Sequence, residues 1–563
     1  MTEPIPQKCT VLVVGGGPGG SFAAAVLALE GYDTVLLEAE KFPRYHIGES
    51  MLPSLRHFLR FIDLDEKFDQ HGFTKKVSNK YMIQAPGAAF KLHKSKREGY
   101  TDFLAAGGSD NYTWNVIRSE ADELMFRHAE TCGARVFDGV KVTSISFQEP
   151  PSKVERMDAN HGPGRPISAS FIDKETAVTG EIMFDYIIDA SGRIGLLSTK
   201  YLKNRKYNDG LKNIASWMYW RGAGKYEPET RRDNAPFFEA LQDETGWAWF
   251  IPLHNGTTSV GVVMNQKAAA TKKKSLMLEN SAEFYMACLK GAPKVLDLLG
   301  DAQPLTDLKT ASDYSYSASN YSFPYARIVG DAGCFIDPYF SSGVHLALTG
   351  ALSASLSICA SIRGHCTEEA AAHWHSQKVA DSYTRFLLVV LCVYRQILNQ
   401  EESVLSDIDE DNFDRVFALF RPVIQGTADV DRATLSADEL GKTLDFCASA
   451  FEPVGLDASS TEVIAEICKT KDRRYFMSSI PDLTPDQARA VDHIRARQMM
   501  RIEDIMHISN FKTDAIGGFV PIMKRGEIGL EPEHVGSGLD TEGAFRLCNA
   551  ADEDVSFDVV TAG

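Results

Sequence analysis

CTVLVVGGGPGGSFAAAVLALEGYDTVLLE, running from Cys9 to Glu38, is the stretch on which the reading of the whole chain turns. Cys9 to Val14 is a short, β-branched apolar run, as a buried strand requires. Six residues made of glycine and one proline follow at once, and then the Ala- and Leu-rich run Ser21 to Glu30 predicts a helix. A second apolar strand, Thr34 to Leu37, ends in Glu38. The glycines Gly15, Gly17 and Gly20 therefore lie between a strand and a helix. There they permit a tight turn and let the backbone approach a pyrophosphate at the helix N-terminus, where free N–H groups favour an anion. Glu38, 18 residues after Gly20, stands where a carboxylate can reach ribose hydroxyls. Gly15, Gly17, Pro18, Gly20, Ser21 and Glu38 are thus the first candidate cofactor contacts.

Two later segments extend this pattern. Asp185 to Arg193 (DYIIDASGR) is an apolar strand ending in Asp189 and Gly192, and Ala326 to Gly333 (ARIVGDAG) is another, ending in Gly330-Asp331. In that order, the three segments resemble the glutathione-reductase-type, Rossmann-like FAD fold of aromatic hydroxylases and their relatives. The resemblance implies an α/β fold with FAD as cofactor, Asp331 on the ribityl chain, and Asp189 and Gly192 near the nucleotide. Asn115-Val-Ile-Arg118 precedes a helical stretch and matches the segment that puts an arginine, here Arg118, beside the cofactor.

Trp247-Ala-Trp249-Phe-Ile251-Pro252 narrows the resemblance, because it fits the Trp-x-Trp-x-Ile-Pro pattern of flavin-dependent halogenases. Phe42 to Ser50 (FPRYHIGES) is similar to the halogenase segment after the ribose-binding strand and adds Arg44, Ile47 and Gly48 as cofactor contacts. Asp337-Pro-Tyr-Phe-Ser-Ser342-Gly343 resembles the loop that covers the flavin ring and holds the halide through backbone N–H groups, implicating Ser342 and Gly343. Lys96 to Phe103 and Arg501 to Phe511 are similar to fungal members acting on phenolic polyketides. The resemblance implies a halogenase of secondary metabolism that receives FADH2 from a partner flavin reductase. With O2 it would form a flavin hydroperoxide, which chloride or bromide attacks to give a hypohalous acid held by a lysine beside the aromatic substrate.

That lysine lies in a disturbed segment. Phe73-Thr-Lys-Lys76 is separated from Pro86-Gly87-Ala88 by nine residues, Val77 to Ala85, whose removal would restore the family pattern. Lys76 is the catalytic candidate and Lys80 the next. A compact ammonium suits the task, because desolvation can lower its pKa. Tryptophan halogenases carry a glutamate two residues before the Ser-Gly of the halide loop, and Phe340 stands there in this chain. Phenols activate their own ortho and para carbons, so loss of that carboxylate points to an electron-rich phenolic substrate. An NAD(P)H-using aromatic hydroxylase, a reductase of isoprenoid double bonds and an inactive flavin-binding protein are the competing readings.

Composition bounds these expectations. A formal charge of −17 argues against nucleic acid, and the densest basic run, Lys91 to Arg97, holds four positive residues. The ten cysteines form no Cys-x-x-Cys pair and no metal-ligand spacing, so no metal is expected, and reduced thiols suit a cytoplasmic protein. No secretory signal is visible, and the apolar run Phe386 to Tyr394 is nine residues, a buried helix rather than a membrane span. Strands are predicted over Val136–Phe147, Ser168–Ile172, Met183–Ile188, Ala215–Gly222 and Trp247–Met264. The expected organisation is an FAD-binding module over residues 1–365, including a substrate-side sheet from about 80–110 and 200–325. A mainly helical substrate-covering region over 366–563 completes it.

Overall fold

The computed structural model describes residues 4–75, 87–95, 98–103, 111–148, 163–400, 511 and 515–533. Its first sheet has eight strands built around Lys8–Val14. That strand pairs in parallel with Thr179–Asp189 on one side and Thr34–Glu38 on the other. Ala326–Ile328 and Arg135–Asp138 extend the parallel ladder outward. Val11 to Val13 and Val35 to Leu37 are almost wholly buried, which accounts for their near-continuous apolar runs. Because these five strands run the same way, their carboxyl ends share one edge. Gly15, Glu38, Asp189 and Gly330-Asp331 all emerge there, where open α/β sheets bind their ligands.

The helix Pro18–Leu29 returns across this sheet with Phe22 to Leu27 buried. Against it packs the 22-residue helix Ser342–Arg363, which in turn packs on Glu368–Leu398. Among the described residues, Ser342–Arg363 is the one helix long and apolar enough to cross a membrane. Some 83% of its most apolar window is buried inside the protein, as in a core helix.

A second sheet carries the aromatic segments. Its order is Gln303–Pro304, Asn213–Arg221, Thr257–Asn265, Gly246–Pro252, Phe237–Ala240, Gly87–Lys91 and Gly99–Asp102, with Lys309–Ser312 also on Asn213–Arg221. Side chains alternate across it. Phe90, Trp217, Phe238, Trp247, Trp249 and Ile251 join a core with Tyr339, Phe340 and the helix Glu368–Leu398. Phe237, Ala248, Phe250, Val260 and Val262 face the opposite way, onto the three helices between Gln266 and Leu299. The period of two thus turns both motif tryptophans toward the same interior.

Two predicted strands are each a pair. Val136–Phe147 breaks at Gly139, whose φ is +81°, into Arg135–Asp138 in the parallel ladder and Val140–Phe147 on an antiparallel neighbour. Trp247–Met264 is a hairpin whose arms meet in register from Gly246↔Met264 to Pro252↔Thr258. Its turn is signalled by His254-Asn-Gly256, with Gly256 at φ +77°. In the C-terminal region the helix Glu368–Leu398 buries Phe386, Val389, Val390, Val393 and Tyr394. A hairpin, Phe519–Ile522 with Gly529–Pro532, closes against the helix Ser342–Arg363. Residues 401–510 lie outside the described ones.

Candidate functional site

The turn after Lys8–Val14 is held in a conformation only glycines permit. Gly15 has a φ of +107°, and a Cβ there would lie 2.2 Å from the Ala190 carbonyl oxygen. At Gly20 a Cβ would lie 1.9 Å from the Gly15 oxygen, so the helix could not start so close to the strand. Gly17 differs: a Cβ there meets nothing nearer than Arg44 Nη2 at 3.6 Å. It caps the Pro18–Leu29 helix without a side-chain bond, and Pro18 occupies the first turn. The first N–H groups of this helix have no partner within it, as a pyrophosphate cradle requires. Ser21 is turned inward, its hydroxyl donating to the Gly16 carbonyl at 3.1 Å.

Glu38 is fixed by its neighbours. The Gly16 N–H donates to Oε2 at 2.6 Å and the Glu40 N–H to Oε1 at 2.8 Å. Arg44 lies 3.8 Å from the same carboxylate and donates to Asp122 Oδ2 at 3.1 Å. Asp122 also takes a two-pronged bond from Arg118, at 2.8 and 3.1 Å. Arg118 reaches the Ile47 carbonyl at 2.9 Å and the Gly48 carbonyl at 3.4 Å with Nη1. The Phe42–Ser50 segment and the arginine are therefore one unit, and Gly48 at φ +103° makes the bend possible.

Asp331 and Asp189, similar in sequence context, have different surroundings. Asp189 is fully buried and spends its carboxylate on the backbone of its own loop, accepting from Ser191 N at 3.0 Å and Leu197 N at 2.6 Å. It shapes the loop carrying Gly192, whose φ is +63°. The Asp331 carboxylate accepts no hydrogen bond from any described residue, although it lies in the field of Arg118, Arg193 and Arg205. Burial pushes its pKa up to about 6 against those three cations. An acid so placed is a ready acceptor for hydroxyls of a bound cofactor. The cradle, the unspent Asp331 and the arginine-lined rim fit FAD.

Beyond Asp331 the chain enters the loop Asp337 to Gly343. Ser341 sits at φ +55° and caps the Ser342–Arg363 helix without a side-chain bond, so the first-turn N–H groups, those of Ser342 and Gly343 among them, have no partner within the helix. Gly343 is needed for closeness, since a Cβ there would lie 3.0 Å from the Phe335 ring. Tyr339, Phe340 and Ser341, with Ser50, Leu52, Ala88, Phe90, Phe103 and Phe238, line a small pocket. Phe90 stacks on Phe238 at 4.9 Å, and Tyr339 meets Phe340 edge-on at 4.8 Å. Among the described residues, no lining side chain is charged. The wall is apolar and largely aromatic.

A buried polar chain ties this loop to the tryptophan motif. Trp247 Nε1 donates to the Tyr394 hydroxyl at 2.8 Å, and Tyr394 donates to Asp337 Oδ2 at 2.7 Å. Asn213 donates to the same oxygen at 3.3 Å, and the Tyr339 N–H to Oδ1 at 3.0 Å. Desolvation raises the Asp337 pKa to about 7 despite these donors. Trp249 donates instead to Ser259 at 3.1 Å and lies flat over Gly261, where a Cβ would come within 2.2 Å of its ring. A second chain links Trp217 to the Tyr45 hydroxyl at 2.9 Å, Tyr45 to Tyr219 at 3.1 Å, and Tyr219 to the buried Glu49. It joins the Phe42–Ser50 segment to the aromatic sheet.

Lys76, Lys80 and the stretch Val77–Ala85 lie outside the described residues. The neighbouring strand Thr74–Lys75 pairs with Trp114–Asn115, and Lys75 bonds Asp69 at 3.1 Å. Of the other sequence-identified residues, one carboxyl edge gathers the Gly15–Ser21 turn, Glu38, Arg44, Ile47, Gly48, Arg118, Asp189, Gly192 and Asp331, while Ser342 and Gly343 begin the next helix. Sequence reasoning did not single out Tyr394, Asn213 and Asp122 as polar partners, nor the Phe90–Phe238 stack. Asp122 lies one helical turn after Arg118, but the partners of Tyr394, Asn213 and Phe90 are far away in the chain, and isolated residues of these types carry no spacing signal.

Known proteins resemble the chain over most of its length. The tryptophan halogenase family model matches residues 10–103 and 94–404. The flavin-dependent halogenase ascD of Acremonium egyptiacum is 62% identical over 535 residues, covering 95% of this chain and 94% of its own. The sulochrin halogenase gedL of Aspergillus terreus is 50% identical over 94% of both chains. In fold, the chain resembles the myxobacterial chondrochloren halogenase CndH, with a TM-score of 0.61 and 24% identity, over 79% of this chain and 97% of that one.

Proposed function

The chain belongs to the flavin-dependent halogenases, and on that premise we propose that it chlorinates or brominates an electron-rich phenolic substrate using FADH2 from a separate flavin reductase. The observation that carries the substrate class is the uncharged aromatic pocket bearing Phe340 where tryptophan halogenases hold a carboxylate. Phe90, Phe238, Tyr339 and Phe340 would hold a flat ring by stacking and edge contacts, each worth roughly 0.5–1.5 kcal/mol beyond burial. With no acid or base among its described lining residues, the pocket suits a ring that supplies its own activation. The name of the 50% identical relative, a sulochrin halogenase, is consistent with a small-molecule substrate.

With FADH2 bound, O2 would be the oxidant: it would take two electrons from the flavin and two from the halide, which makes the halogen electrophilic. The protein's own parts do the rest. Gly15 to Ser21, Glu38 and Arg44 would hold the adenosine diphosphate end; Ile47, Gly48, Arg118 and Asp331 would fix the flavin end. The uncapped N–H groups at Ser342 and Gly343 favour a small anion by the helix dipole. Lys76 supplies the ammonium that orients the electrophile beside the ring.

A mass-spectrometric product assay tests this, with purified protein, FAD, NADH, a flavin reductase, a resorcinol-type phenol, and chloride or bromide in parallel. Gain of one halogen with its isotope pattern, dependent on the reductase and lost in Lys76→Ala, is the expected result. A product heavier by one oxygen and made without the reductase would replace the proposal with a hydroxylase. No product until Val77 to Ala85 is deleted would mean the chain as written is an inactive form.

A further inference from the structure

Away from the flavin crevice, three side chains from three elements converge. His71 ends the helix Asp65–His71, Glu120 lies in the first turn of Arg118–Thr131, and His254 sits in the hairpin turn just beyond Pro252. His71 Nε2 lies 2.8 Å and His254 Nε2 3.2 Å from one oxygen, Glu120 Oε2. The three donor atoms all fall within 4.8 Å of one another. Both imidazoles therefore aim at a single carboxylate oxygen, each at hydrogen-bonding distance. His254 Nδ1 is buried without a hydrogen-bond partner. Phe73 fixes the ring positions, its centroid 4.3 Å from His71 and 5.4 Å from His254.

We propose that His71, Glu120 and His254 form a binding site for a divalent transition-metal ion of the Zn2+ class. Two neutral imidazoles and one carboxylate are a borderline-soft N2O set that favours zinc over magnesium or calcium. A tetrahedral ion with bonds of about 2.0–2.1 Å sets its donor atoms about 3.4 Å apart. The two contacts to Glu120 are already near that spacing, and small torsions of the partly exposed histidines close the third. Their side chains are 30% and 20% exposed, so water can fill the fourth position. The ion would replace the Nε2 protons and each Nδ1 would carry the ring proton, that of His254 without an acceptor among the described residues.

The place of the site gives it a consequence. Gly72 to Lys75 follows His71 directly, Glu120 lies two residues after Arg118, and His254 lies two residues after Pro252 of the tryptophan motif. Asn115 already bonds the Pro252 carbonyl at 3.1 Å, so the three segments are neighbours before any ion binds. A bound ion would lock them together.

The test is a calorimetric titration of chelator-treated full-length protein with ZnCl2, repeated with Co2+ for its tetrahedral absorption bands. Wild type is expected to bind one equivalent saturably and to melt at a higher temperature with Zn2+. His71→Ala and His254→Ala should each weaken binding by at least about tenfold and abolish the melting shift, with FAD retention as the check that they fold. Absence of saturable binding in wild type would mean that the cluster is only hydrogen-bonded. Unchanged binding in both variants would place the ion elsewhere, for instance on cysteines. Either result overturns the proposal.

Discussion

Replacing Asp337 by asparagine keeps the shape of the side chain while removing its titration. In the folded protein burial lifts this carboxyl from 3.8 to about 7. About three pH units, at about 1.4 kcal/mol each, make the ionised form about 4 kcal/mol less favourable in the folded state than in the unfolded chain. The sign follows from the direction. A folded pKa above the unfolded one gives stability that is complete below pH 4 and is lost as pH rises through 7. Wild type should therefore weaken relative to Asp337→Asn across that window, with about 2–3 kcal/mol of the change falling between pH 5 and pH 8. At low pH the variant should be no better than wild type, because its amide nitrogen would face the Asn213 and Tyr394 donors. Urea unfolding followed by tryptophan fluorescence, at both pH values with equal FAD, measures the difference. Parallel loss of stability in the two proteins over that window would refute the reasoning and show that Asp337 stays ionised when folded.

At the nucleotide cradle, Gly15→Ala should cut FAD retention through gel filtration at least about tenfold, since the positive φ alone costs roughly 1–3 kcal/mol and the Cβ strikes Ala190; full retention by a folded variant would remove this turn from the site. Asp331→Ala should weaken FAD roughly 10- to 100-fold, the worth of a charged hydrogen bond at about 1.5–3 kcal/mol, read by flavin fluorescence. An unchanged affinity would mean that the Asp331 carboxylate does not touch the cofactor.

How much of this was legible in advance differs from residue to residue. Gly15, Gly17, Gly20 and Glu38 were readable because strand, turn, helix and second strand are contiguous, and hydrophobic period and glycine placement are local signals. Asp331 and Arg118 were readable only through resemblance, since an acid after a strand or an arginine before a helix is common. The hairpin within Trp247–Met264 was misread as one strand, although His254-Asn-Gly256 marked its turn, because both arms are almost wholly buried.

The sequence by itself determined the nucleotide-binding fold and the halogenase family, both of which rest on short segments whose meaning survives out of context. Only the tertiary structure decided which residues meet. Trp247, Tyr394 and Asp337 form one buried chain; Phe90, Phe238 and Phe340 form one pocket wall; His71, Glu120 and His254 point at one another. Within each set, partners stand tens to hundreds of residues apart. Chain folding brings them together through sheet register and helix packing, and no spacing in a linear sequence encodes that juxtaposition.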